Sequence, residues 1–239
     1  MGNMFGIVGG MGPLAGVNLL RRIIELTNAK ADRHHIPIIL YSVPQIPDRV
    51  AAILGTGRSP FPEILSLVQA LARDGVEEIA IACNTAHYWH TELSDQCRVR
   101  ILNIVDAVAA TLRTRKMSGR KIGLLATEGT VAGRIYDRRL EEAGFSISPP
   151  TATEYAELFN PGVSAVKAGD LVTGKALLTR AAHCHLERGA QAVILACTEL
   201  GLVLTDDGIS PFIDSTEALA RLCVTRWQRQ QDDGLGRKI

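Results

Sequence analysis

The chain has 239 residues, enough for one large domain or two of ordinary size with a substantial core. Hydrophobic residues make up 46% and charged residues 21%, the balance of a soluble globular protein. Lysine and arginine number 26 against 25 acidic residues, so the net charge of +1 leaves no electrostatic footprint for nucleic acid or a membrane surface. With neither a secretory leader pattern nor an apolar run of membrane-spanning length, a cytoplasmic protein is expected. Its five scattered cysteines, Cys83, Cys97, Cys184, Cys197 and Cys223, argue against a disulfide framework and for thiols available to chemistry.

Phe5-Gly6-Ile7-Val8 reads as a short strand, followed by the turn Gly9-Gly10-Met11-Gly12-Pro13 and a helix from about Leu14 to Thr27. Pro13 suits a first helical turn, where its missing N–H costs nothing. Ile36 to Tyr41 is a second strand, and Ser42 to Val50 a polar loop at its C-terminal end. Ile64, Leu67, Val68 and Leu71 give Glu63 to Asp74 helical spacing. An apolar run then ends in Ala82-Cys83-Asn84-Thr85-Ala86-His87. A helix, a strand Ile101 to Val105 and a helix from Asp106 to about Thr114 follow, with a basic connector at Arg115 to Arg120. Strand–helix alternation restarts at Lys121, and a second apolar run ends in Ala196-Cys197-Thr198-Glu199-Leu200-Gly201. This is α/β organisation with mostly parallel strands.

The two halves repeat the same landmarks in the same order. Gly6 in the first strand matches Gly123, 117 residues on; Cys83 matches Cys197 at 114; Asp106 matches Asp214 at 108. The expected fold is therefore two similar α/β domains from an internal duplication, each a mostly parallel sheet flanked by helices, with the active site in the cleft between them. Ligands in such sheets bind at the carboxyl ends of the strands, and both cysteines stand there.

A lone strand-end cysteine is usually a small buried hydrophobe. Two at equivalent repeat positions, each followed by polar residues, point instead to acid/base groups on opposite faces of one substrate carbon. Both precede expected helix starts, whose dipole would favour a thiolate. Asn84, Thr85, Thr198 and Glu199 read either as helix caps or as donors to a substrate carboxylate, with Glu199 able to orient an ammonium or set a thiol's proton affinity. Arg49 and Lys167 occupy comparable places in the two halves and are candidate anion anchors, Arg49 in bidentate geometry and Lys167 as a point charge. Thr127-Glu128-Gly129-Thr130 supplies hydroxyls opposite the glycine turn.

Gly10-Met11-Gly12-Pro13-Leu14-Ala15 formally satisfies a dinucleotide fingerprint, but the acidic residue expected at the end of strand two is missing. His183 and His185 diverge by about 200° on a helix, and no ligand set has structural-zinc spacing. No metal is expected. His87 reads equally as a core, helix-surface or catalytic residue. A cysteine hydrolase would leave Cys197 unexplained.

Taken as an ordered set, Gly9-Gly10-Met11-Gly12-Pro13, Ile46-Pro47-Asp48-Arg49, the Cys83 segment, Ala126-Thr127-Glu128-Gly129-Thr130, Lys167 and the Cys197 segment resemble the aspartate/glutamate racemase family over nearly the whole chain, closest to its aspartate racemase branch. The resemblance implies two α/β domains, a cleft active site, no pyridoxal phosphate, no metal and commonly a homodimer. It assigns Cys83 and Cys197 as the acid/base thiols. Met11, Asn84, Thr85, Thr127, Thr130 and Thr198 would line the amino-acid site, with Arg49 and Lys167 on carboxylates. It also implies that the C-terminal segment returns to the first domain, giving residues 1–105 plus 210–239 and a second domain of 106–209. Gly16 departs from the branch, which commonly has Thr there. The expected activity is cofactor-independent racemisation of aspartate, or of glutamate, by proton transfer between two thiols. The alternatives are another carbanion chemistry of the superfamily (hydantoin racemisation, maleate isomerisation or malonate decarboxylation) and a non-catalytic amino-acid- or dinucleotide-binding protein.

Overall fold

The computed structural model describes residues 4–117, 120–204 and 211–236. The first half comprises β1 (Met4–Gly9), α1 (Pro13–Thr27), β2 (Ile38–Ser42), α2 (Arg49–Ile53), α3 (Phe61–Arg73), β3 (Val76–Ile81), α4 (His90–Asp95) and β4 (Arg100–Leu102). α5 (Ile104–Thr114) leads into β5 (Lys121–Ala126), α6 (Glu128–Ala132), α7 (Asp137–Glu142), β6 (Ser146–Ser148), α8 (Ala152–Glu154), α9 (Asn160–Lys167), α10 (Leu171–Glu187), β7 (Ala192–Ala196), β8 (Phe212–Asp214) and α11 (Ser215–Gly236). The strands form two four-stranded sheets, ordered β2-β1-β3-β4 and β6-β5-β7-β8, and every pairing is parallel. Adding four to each strand number of the first sheet gives the second. The duplicated α/β architecture is thus present in the topology itself.

Local chemistry explains the main boundaries. Pro13 opens α1, and Asn28 closes it in the left-handed region at φ 48°, a conformation its short amide side chain tolerates. Asn103 caps α5 by accepting from the N–H groups of Val105 and Asp106 at 2.9 and 3.3 Å. That cap stops the strand expected through Val105 at Leu102 and starts the helix at Ile104. Asp214 caps α11 in the same way, through Thr216 and Glu217. Register confirms the correspondence: Ala80 pairs with Leu102 and its equivalent Ile194 pairs with Ile213. The counterpart of Asp214 is therefore Asn103, which corrects the sequence alignment of Asp214 with Asp106. Position 16 also has a reason to be glycine. A Cβ there would stand 3.1 Å from Leu40 Cδ1 and 3.3 Å from the Gly9 Cα, so α1 crosses β1 closely and a side chain would need its neighbours to shift by a few tenths of an ångström.

One apolar layer joins the two halves. Phe5, Ile7, Leu19, Ala80 and Ala82 share a cluster with Ile122, Leu124, Ile194, Ile213, and with Leu219 and Cys223 of α11. Two further clusters cover the other sheet faces, one holding Val8, Ile79, Ile81 and Cys83, the other Leu125, Val193, Leu195 and Cys197. The alternation along β3 and β7 sends the two cysteines to equivalent faces of equivalent strands. α11 packs on both α1 and α5. β8 lies in the second sheet, which therefore runs to Asp214, beyond residue 209. The expected boundary at 209/210 itself lies outside the described residues, as does Gly119 of the basic connector.

Candidate active site

In each sheet the strand order reverses between the first strand and its neighbours, so the crevice lies at the carboxyl ends of β1 and β3 and of β5 and β7. Those four ends carry Gly10, Cys83, Thr127 and Cys197. Cys83 is 5% exposed and Cys197 6%, so both thiols sit in a nearly closed interior. Two broad surface grooves among the described residues, of about 750 and 910 Å³, lie elsewhere, between α5 and α11 and between α1 and the start of α10.

The two thiols have opposite electrostatic company. Burial raises the Cys83 thiol above its ordinary value, while the Arg49 guanidinium and the Ala86 N–H pull it back toward the thiolate. Burial also drives Cys197 well up, and here the nearest charge adds to the effect. Cys197 Sγ donates to Glu199 Oε2 at 3.0 Å, and Thr198 Oγ1 donates to the same oxygen at 3.2 Å. Lys167 opposes that rise from the end of α9, where it is itself exposed. Glu199 also raises Cys83, which places its charge within reach of both thiols. A Cβ on Gly12 would stand 3.4 Å from Glu199 Oε1, so the glycine turn of one half faces the Cys197 loop of the other.

Neither cysteine leads directly into an α-helix. Thr85–Trp89, which runs on into α4, and Leu200–Leu202 are 3₁₀ turns, and the Ala86 and Glu199 N–H groups with nearby charges act on the two thiols. Thr85, Thr127 and Thr130 converge from both halves into a triangle of hydroxyls with all three O···O distances 3.0 Å. Thr127 additionally caps α6 through the Thr130 N–H at 3.2 Å. Across this junction a Cβ on Gly129 would meet the Val50 Cα at 2.9 Å, so α2 and α6 close one side of the cleft. Arg49 opens α2 with Nη1 on the carbonyls of Pro47 and Ile46, while its Nε is buried without a partner. Met11 is buried in the cluster that contains Cys83. Gly10 holds φ at +96° beneath it, and a Cβ there would lie 2.4 Å from the Val43 backbone.

Asn84 departs from the capping reading. It forms no cap, and its amide turns inward to bond Tyr136 and Ser215. His87 is structural as well. Its Nδ1–H donates to the Cys83 carbonyl at 2.8 Å and Nε2 accepts from the Ile104 N–H at 3.2 Å, so the ring is a neutral brace with no free nitrogen. Burial holds its pKa down to about 4. Among the described residues no three His, Cys, Asp or Glu side chains converge as metal ligands, and no helix is long and apolar enough to cross a membrane. The sequence reading missed Tyr136, Ser215 and Arg22, which brace the cysteine loops from behind. Only Ser215 carries a signal in the sequence, since it follows the repeat landmark at Asp214.

Residues 8–223 match the family described as Asp/Glu/Hydantoin racemase. The chain is 27% identical to the broad specificity amino-acid racemase RacX of Bacillus subtilis, with 95% of this chain and 100% of that protein covered. Among solved structures it is similar to the Picrophilus torridus aspartate racemase, at 30% identity, TM-score 0.84 and 95% of both chains. It is also similar to an aspartate racemase homologue from Pyrococcus horikoshii, at 26% identity and TM-score 0.74 over 95% of this chain and 99% of the other.

Proposed function

The chain belongs to the Asp/Glu/Hydantoin racemase family, and on that footing we propose that it racemises an acidic amino acid, aspartate before glutamate, by cofactor-independent proton transfer between Cys83 and Cys197. The observation that carries this reading is the pair of thiols on equivalent faces at the ends of β3 and β7. A reaction whose substrate and product are mirror images asks for proton-transfer groups on opposite faces of one carbon, and the equivalent placement of the two thiols in a duplicated fold supports that assignment.

Two-base transfer needs one thiolate and one thiol at the outset. Arg49 favours the thiolate at Cys83, and the Glu199 carboxylate holds the proton on Cys197. Cys83 then removes the α-proton while Cys197 delivers its own to the other face. The roles exchange for the opposite enantiomer: Cys197, left as the thiolate, removes the α-proton, and Cys83, left as the thiol, delivers one to the other face. Charge growing on the α-carboxylate is met by the hydroxyls of Thr85, Thr127 and Thr130. Arg49 and Lys167 favour a second, side-chain carboxylate.

The test is proton NMR of L-aspartate and L-glutamate in D2O with reduced protein and no added cofactor, followed by chiral analysis. Loss of the α-proton signal with appearance of the D-enantiomer supports the proposal. No exchange with either substrate refutes the acidic preference. The full-length likeness to a broad-specificity racemase supports a second reading, wider substrate range, which the same assay over neutral and basic amino acids decides.

A further inference from the structure

Behind the thiols, four buried groups make one unbroken hydrogen-bond chain between the two cysteine arms. The Tyr136 hydroxyl donates to Asn84 Oδ1 at 2.6 Å, Asn84 Nδ2 donates to Ser215 Oγ at 3.0 Å, and Ser215 Oγ donates to the Leu195 carbonyl at 2.7 Å. Asn84 follows Cys83 directly, and Leu195 lies on β7 two residues before Cys197, which follows the strand's end. Tyr136 and Ser215 are fully enclosed and Asn84 is 2% exposed. Each hydroxyl has a single proton, and that of Ser215 is committed to Leu195, so the orientation of the Asn84 amide is fixed.

A second link leaves the same turn of α11. Arg22 of α1 pairs with Asp214 at 2.7 Å and Glu217 at 2.7 Å, and donates to the Gly201 carbonyl at 3.1 Å. Gly201 lies two residues beyond Glu199. Residues 214–217 therefore hold the loop after Cys197 through Arg22 and the residue after Cys83 through Ser215.

We propose that the first turn of α11 is a positioning device for the two thiols, with Ser215 and Tyr136 acting through Asn84 to set Cys83 against the strand that carries Cys197. The inference rests on the two-thiol reading above. Proton transfer to and from one carbon tolerates little misplacement, and an error of about 1 Å in such a geometry costs about 100-fold in rate. Removing the Ser215 hydroxyl takes away the partner of Asn84 Nδ2 and a donor to the Leu195 carbonyl, while Arg49, Lys167 and the threonine triangle make no contact with it.

The experiment compares wild type, Ser215→Ala and the milder Tyr136→Phe. It measures racemisation in both directions per folded molecule, and peptide-resolved alkylation of Cys83 and Cys197 by iodoacetamide against Cys97. For Ser215→Ala the expected result is a kcat lower by about 10- to 100-fold with KM within about two-fold, together with a changed ratio of Cys83 to Cys197 alkylation. Tyr136→Phe should shift both readouts in the same direction by less. Unchanged kcat and alkylation ratio in both variants overturns the proposal. So does a loss of activity that vanishes when expressed per folded molecule, or a failure of both variants to fold, since each makes the chain a fold element alone. If wild type racemises no amino acid the two-thiol reading fails by itself, and the alkylation ratio still decides the positioning.

Discussion

Acidification from about pH 7 to pH 5 should destabilise the protein, and the imidazole of His87 is one source that can be isolated. Both ring nitrogens are spent on backbone groups and burial holds the pKa at about 4, against about 6.5 for a free histidine. The folded-state value is depressed, so the unfolded chain takes up the proton first. The stability contribution is complete above the unfolded value and is lost as pH falls from about 6.5 toward 4. Linkage over that gap gives a loss of about 2 kcal/mol between pH 7 and 5, rising to about 3 kcal/mol at pH 4. Urea unfolding of wild type and His87→Gln at both pH values isolates it. His185, also held near 4, and the carboxylates are common to both proteins and cancel in the difference. His87→Gln should be less stable at pH 7, by about 1–3 kcal/mol for the disturbed backbone partners. Its further loss on going to pH 5 should be smaller than that of wild type by about 2 kcal/mol. Equal pH dependence in the two proteins would refute the account of His87 as a neutral brace.

The thiol chemistry yields predictions of opposite sign. Cys83→Ala and Cys197→Ala should each abolish racemisation, a loss of at least about 100-fold, whereas near-normal turnover by either would remove the two-base mechanism. Arg49→Leu should move the rising limb of the kcat–pH profile to higher pH, because a positive charge favouring the Cys83 thiolate is gone; Glu199→Gln should move it lower, because a negative charge that raises both thiols is gone. A limb that stays fixed in both variants would detach those charges from the reacting thiols. Gly10→Ala should destabilise by about 3 kcal/mol or more in chemical unfolding, since both the φ of +96° and the Val43 backbone 2.4 Å away oppose a side chain.

The elements legible in the sequence were those whose signal is local. Apolar runs ending in Cys83 and Cys197 marked β3 and β7, Pro13 marked the start of α1, and the recurrence of landmarks marked the duplication. What escaped were partnerships made by the fold. Asn84 has the composition of a cap, yet two buried hydroxyls from distant segments outcompete the neighbouring N–H groups for its amide. Asp106 looked like the twin of Asp214 because both are acidic, while strand register pairs Asp214 with Asn103, whose amide does the same capping without charge. The turns after the cysteines have helical residues but close as 3₁₀, a choice of hydrogen-bond pattern that side-chain type does not encode.

The duplication explains why there are two thiols but not why they are unequal, and the reading of the reaction needs both facts. A perfectly symmetric pair would start as two thiols or two thiolates, neither of which can move a proton across a carbon in one pass. Burial alone pushes both cysteines toward the neutral form, so some group must favour the charged form of one. The repeat has diverged at just those positions. The first half places Arg49 against Cys83, and the second places Glu199 on Cys197 at hydrogen-bond distance with Lys167 farther out at a helix end. Glu199 also acts on Cys83, so its charge couples the two thiols as well as holding one proton. On the proposed two-thiol mechanism, equivalent strands place the two thiols and non-equivalent neighbours give them the difference in proton affinity that the reaction needs.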